Sequence, residues 1–179
     1  MKRRSTYSAT ELDTVALLAA LCLFLSTVEY LIPKPIPFMR LGLANLPILV
    51  SLEFLSPPMV LLLVLLKIVG QGLVNGTLFS YVFLFSAAGS TVSGLLMLLV
   101  SRIPRRRLSL VGISVVGALG SNVVQIVLAR FIIFGEGAWL IGPPFIAIGT
   151  ASAILLGIFA QKFGSSSRWI ERVSPSHRR

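Results

Sequence analysis

The sequence predicts an all-α integral membrane protein: six transmembrane helices in one bundle, with both termini in the cytoplasm. Three observations predict it. First, 55% of the 179 residues are hydrophobic and only 12% are charged, about half the charged share of a soluble domain. The chain therefore lacks the polar surface that faces water. Second, apolar runs fall at about 14–31, 43–55, 58–75, 78–100, 109–134 and 139–160, and a spanning helix needs roughly 20 residues. Third, most of the cations lie between these runs and on one side of them. In a soluble protein the net charge of +10 would suggest nucleic acid. Here it points to a bilayer with anionic lipid, and no nucleic-acid partner is expected.

The first run follows MKRR and could imitate a signal peptide. However, Glu11 and Asp13 interrupt its start, no small-x-small cleavage site follows, and further spans come after it, so it is read as a retained helix. The loop 32–38, IPKPIPF, carries three prolines. It is a stiff, extended segment, suited to be a lid. The run 43–55 is short, and it counts as a span because the charges then fall into place. With both ends inside, the N-terminus, the turn near 53–58, the loop 101–108 and the tail hold twelve of the 16 Lys and Arg residues, a strong positive-inside bias. After the Ser56-Pro57-Pro58 turn, the third helix carries Lys67, Gln71 and Asn75 at four-residue intervals, hence on one face. The fourth helix carries Ser86, Ser90 and Gly94, and the sixth Gly149, Ala153 and Gly157, at the same spacing. Small residues so spaced let helix backbones approach closely in lipid. Pro143 and Pro144 near the outer end of the sixth helix leave carbonyls unpaired, which is tolerable where they face protein or water. Residues 1–162 thus form one six-helix domain. Residues 163–179 form a basic cytoplasmic tail, with Trp169, Ile170 and Val173 read as an interfacial segment or a frayed end.

Catalytic chemistry finds little support. The single Cys22 and the single His177 rule out a disulfide framework and a Cys/His metal site. The six acids are scattered, with no aspartate-rich pair for magnesium and diphosphate, and there is no ATP-binding loop. The expectation is a protein that is not an enzyme and has no metal or cofactor of its own.

What the spans do contain is a segregated set of polar residues. With the topology above, nearly every strong polar group falls in the outer half: Glu29, Arg40, Asn45, Gln71, Asn75, Tyr81 and Arg130 toward the outer side, with Lys67, Asn122 and Gln125 near the middle. The inner halves are apolar or small. An ammonium near the middle of a span costs roughly 2.5–3.5 kcal/mol and normally faces a partner or a wet cavity. Two readings follow. In the structural one, Glu29 pairs with Lys67 or Arg130, Arg40 snorkels, and the amides join helices. In the functional one, the set lines an outward-facing pocket. Arg40, Lys67 and Arg130 against Glu29 then predict an anionic ligand: phosphate, diphosphate or carboxylate on an apolar or aromatic body. On the inner half of the first helix, Ala16 and Ala20 make a flat small-residue face with Ala19 beside them. That face either packs within the bundle or docks another membrane subunit.

The segments RLGLANLPILVSL (40–52) and LKIVGQGLVNGTLFSYVFLFSAAGS (66–90) resemble the Gx transporter family, also called heptaprenyl diphosphate synthase component I. The resemblance covers about residues 14–160. The family is similar to the S components of energy-coupling factor (ECF) transporters, six-helix proteins of the bacterial cytoplasmic membrane. Those proteins hold a micronutrient near the outer surface and work with a transmembrane coupling (T) component and two ATPases. The resemblance implies that Ala16 and Ala20 form the docking face and that the outer polar cluster is the binding pocket. It implies uptake of a cofactor precursor, with a flavin, quinone or isoprenoid precursor as ligand. Its alternative implication is an accessory membrane subunit of polyprenyl diphosphate or quinone biosynthesis, with the basic loop at Arg102 and Arg105 to Arg107 docking a soluble synthase. A stand-alone secondary transporter fits less well, because no inverted repeat is visible.

Overall fold

A computed structural model of the protein describes residues 9–33, 39, 41–104 and 108–166. Among them the regular structure is entirely helical. The six α-helices are α1 (Ala9–Leu31), α2 (Leu46–Ser51), α3 (Pro57–Val74), α4 (Tyr81–Val100), α5 (Leu110–Ala129) and α6 (Ala138–Ser166). Four stretches are long and apolar enough to cross a membrane: Glu11–Leu31, Pro57–Val74, Tyr81–Val100 and Leu110–Gly164. The last covers both α5 and α6, which fold back on each other through a π turn at Arg130–Phe134 and a 3-10 turn at Gly135–Gly137.

Helix boundaries follow local chemistry. Pro57 and Pro58 open α3, where the missing N–H groups are harmless. Ser80 and Ser109 cap α4 and α5, their hydroxyls accepting from the backbone N–H groups of Phe83 and Gly112. α6 contains Pro143 and Pro144 in its early turns, and it continues through Ser166, beyond the expected limit at 162. The expected span 43–55 contains much less helix. A 3-10 turn at Leu43–Asn45 leads into a six-residue α2. Together these nine residues reach only about 14 Å, against roughly 30 Å of hydrocarbon. Pro47 to Ser51 are all buried, so this short piece is wrapped by protein, the one setting in which irregular backbone is tolerated at membrane depth.

Neighbour pairs fix the helix directions. Leu23 meets Gly70, and Asn75 Nδ2 donates to Ser26 Oγ at 3.4 Å, so α1 and α3 run the same way. Gly94 meets Val64 while Lys67 donates to Ser90, so α4 runs opposite to α3. Gly117 faces Met97 while Gly89 faces Gln125, so α5 opposes α4. Ser114 Oγ donates to Ala153 O at 2.8 Å and Gly149 lies against Asn122, so α6 opposes α5. Leu41 and Glu53 lie against Ser152 and Gly164, so the α2 segment runs with α6. Odd-numbered helices therefore point one way and even-numbered helices the other. The surface is strongly apolar, with Phe24, Leu65, Leu99, Phe131, Leu140 and Leu155 among its exposed side chains.

The core is divided. One apolar cluster includes Val15, Cys22, Ile48, Leu63, Met97, Ile113 and Ala160. A second includes Met39, Phe85, Ile126, Ala129 and Phe145. Along α4, α5 and α6 a polar layer lies between the two.

Candidate functional site

The centre of that layer is Lys67. α3 buries it to 3% exposure, and its ammonium donates to Asn45 Oδ1 on the α2 lead-in and to Ser90 Oγ on α4, the latter at 2.9 Å. The stripe predicted on α3 meets an antiparallel serine ladder on α4. One turn along, Gln71 Nε2 donates to Ser86 Oγ at 3.0 Å. Four-residue spacing on both helices produces this register.

Glu29 sits at the end of α1 and is 2% exposed. Its carboxylate accepts the backbone N–H groups of Leu41 at 2.9 Å and Leu43 at 2.8 Å. Between them Gly42 has φ +84°, the left-handed region that favours glycine. Successive N–H groups around such a residue form a cradle for an anion, and Glu29 fills it. On the opposite side Ser152 Oγ donates to Leu41 O at 2.6 Å. The segment leading into α2 is thus tied to α1 and α6 at once.

Under that segment lies a cavity of about 30 Å³, lined by Glu29, Leu41, Gly42, Ala44, Asn45, Lys67, Ser90, Ala118, Ser121, Asn122 and Gly149. A neighbouring cavity of about 20 Å³ shares Leu41, Gly42, Asn45 and Ala118. Each has room for a water or two. Asn122 is 4% exposed, and its Nδ2 has no hydrogen-bond partner among the described residues. Gln71 Oε1 and Gln125 Oε1 are likewise buried and unpartnered there. Native interiors leave few such groups unsatisfied, so their grouping in one layer marks a place that water or a ligand completes.

Of the residues singled out from the sequence, Glu29, Asn45, Lys67 and Asn122 line the cavity. Gln71, Asn75 and Gln125 lie in the adjoining layer, Gln125 Nε2 donating to Ser121 Oγ at 2.7 Å. Tyr81 is half exposed and edge-on to Phe85, with ring centroids 6.4 Å apart. Arg130 is away from the cavity, paired with Glu136 and lying 5.6 Å from the Trp139 ring. Arg40, the prolines of the 34–38 segment, Arg105 to Arg107 and the tail from 167 lie outside the described residues. Ala16 and Ala20 are exposed on α1, whereas Ala19 is buried. Ser90, Ser121 and Gly149 were not singled out as site residues; the signal for Ser90 was its spacing from Ser86, opposite the Lys67 stripe. No group of three or more His, Cys, Asp or Glu able to hold a metal occurs among the described residues.

Comparison with known proteins gives one match. Residues 18–163, spanning α1 to α6, match the family described as heptaprenyl diphosphate synthase component I. No curated protein and no solved structure gives a significant match. The matched region contains every described residue of the polar layer, and on that match the chain belongs to the heptaprenyl diphosphate synthase component I family.

Proposed function

We propose that this chain is a non-catalytic, ligand-binding membrane subunit of a polyprenyl diphosphate or quinone biosynthetic assembly. The observation that carries the binding role is the cavity at Lys67: a buried ammonium, a carboxylate and an unpartnered amide donor converge there in an otherwise apolar bundle. Desolvating such groups is costly, and a set of them inside a membrane helix bundle is a site by default. The family name supports the assembly. In this reading catalysis belongs to a partner; the sequence has no aspartate-rich motif for magnesium and diphosphate.

In this reading the chain crosses the bacterial cytoplasmic membrane six times, with both termini inside. Alternating helix directions and the basic inner segments support that topology. The α2 segment makes the second crossing as a short helix plus buried irregular backbone. The cavity then lies toward the outer face.

A second reading is favoured by a separate observation. Ala16 and Ala20 are exposed on α1, forming a flat strip on which another helix can pack closely. It makes the chain an S-component-like uptake subunit, working with a coupling component and two ATPases. Purifying the tagged protein from its own membrane in mild detergent separates the two. A co-purifying prenyl synthase or quinone enzyme supports the first. A coupling protein with paired ATPases, lost on Ala16→Phe/Ala20→Phe, overturns it in favour of the second.

A further inference from the structure

We infer that the Lys67 cavity takes the carbonyl end of an uncharged molecule and not a phosphate or carboxylate, an inference that rests on the ligand-binding reading above. The first ground is charge. Among the described residues lining the cavity, one cation, Lys67, faces one carboxylate, Glu29. Arg130, which would have tipped the balance toward an anion, is at the surface with Glu136. A phosphate or carboxylate would add negative charge beside the buried Glu29, where charge that gains no partner of its own is strongly unfavourable. An uncharged acceptor adds none.

The second ground is the donor set. Lys67 on α3 and Asn122 on α5 present N–H donors to the same small space, and Asn122 Nδ2 has no partner among the described residues. Ser90 and Ser121 add hydroxyls, which donate or accept as needed. Lys67 already takes an amide carbonyl oxygen as acceptor, that of Asn45. Asn45 stands where the first carbonyl of a ligand would stand, and Asn122 awaits the second. The third ground is size. A cavity of about 30 Å³ admits a carbonyl oxygen in place of water, while the rest of the molecule requires the Leu41–Asn45 wall to shift. That wall is held by side-chain hydrogen bonds from Glu29 and Ser152, which can break without unpacking a long helix.

The test uses the full-length protein in lipid nanodiscs, titrated with menadione, an uncharged dicarbonyl, and with geranyl diphosphate, an isoprenoid anion. Menadione should bind saturably. Lys67→Met and Asn122→Leu should each weaken it about tenfold or more, as expected for losing one buried hydrogen-bond donor, and Arg130→Gln should leave it unchanged. Two separate variants guard against one failing to fold, and a monodisperse elution profile checks each. Saturable binding of geranyl diphosphate in preference to menadione overturns the inference and leaves the ligand-binding reading standing. Saturable binding of neither probe, or menadione uptake identical in all variants, overturns both.

Discussion

Lys67 decides most at the scale of single residues. Its ammonium is held by neutral oxygens of Asn45 and Ser90 in a buried layer. Removing an acceptor from a buried charge is worse than removing the charge itself. Asn45→Leu should therefore destabilise the protein by about 1–3 kcal/mol, and the same substitution should cost less in a Lys67→Met background than in the wild type. Thermal unfolding of the four proteins in detergent checks this ordering. Glu29 behaves differently. Both carboxylate oxygens accept backbone N–H groups, so Glu29→Gln turns an NH2 group toward one of them. Hydrogen exchange at Leu41 and Leu43 should then be faster than in the wild type, with little change at Leu63. The Lys67, Gln71 and Asn75 stripe was legible in the sequence because helical spacing alone puts those residues on one face. The engagement of Glu29 was not, because its partners are main-chain groups whose position depends on the loop conformation at Gly42. The pairing of Arg130 with Glu136 was equally hidden, because Glu136 lies in a turn that sequence periodicity does not describe.

Among the elements, the apolar runs located α1, α3, α4, α5 and α6, with ends displaced by up to six residues, because a hydrophobic run bounded by proline, serine or cations leaves few alternatives. α2 was misjudged in length. An apolar run of thirteen residues looks the same whether it faces lipid or is enclosed by protein, and only the structure shows Pro47 to Ser51 buried on all sides. Gly149 and Gly157 of α6, read from their spacing as close-contact positions, do lie against α5, whereas Gly142, outside that set, has more room. A Cβ on Gly157 would come 2.6 Å from Val111 Cα, a backbone atom that cannot swing away, whereas on Gly142 it would meet only Ile126 side-chain carbons at 3.7 and 3.9 Å. Gly157→Ala should cost about 1–3 kcal/mol through overpacking, and Gly142→Ala should be near neutral or slightly stabilising. Melting temperatures of the two variants in the same detergent test the contrast.

For the whole molecule, the arrangement proposed in the membrane is six crossings with both termini inside. Phe79, 99% exposed at the turn between α3 and α4, and Pro104, exposed beyond α4, then lie on opposite faces. A cysteine introduced as Phe79→Cys should react with a membrane-impermeant maleimide in intact cells, and Pro104→Cys only after permeabilisation. The reverse pattern would invert the topology and put the Lys67 layer nearer the cytoplasm. The Lys67 layer lies between two apolar clusters along the helices, and the proposed function makes it the place where a ligand is held. Native mass spectrometry of the protein extracted from its own membrane tests this claim most directly. The wild type should carry a stoichiometric small molecule that is absent from folded Lys67→Met. Spectra of the two proteins that differ only by the mass of the substitution would contradict it.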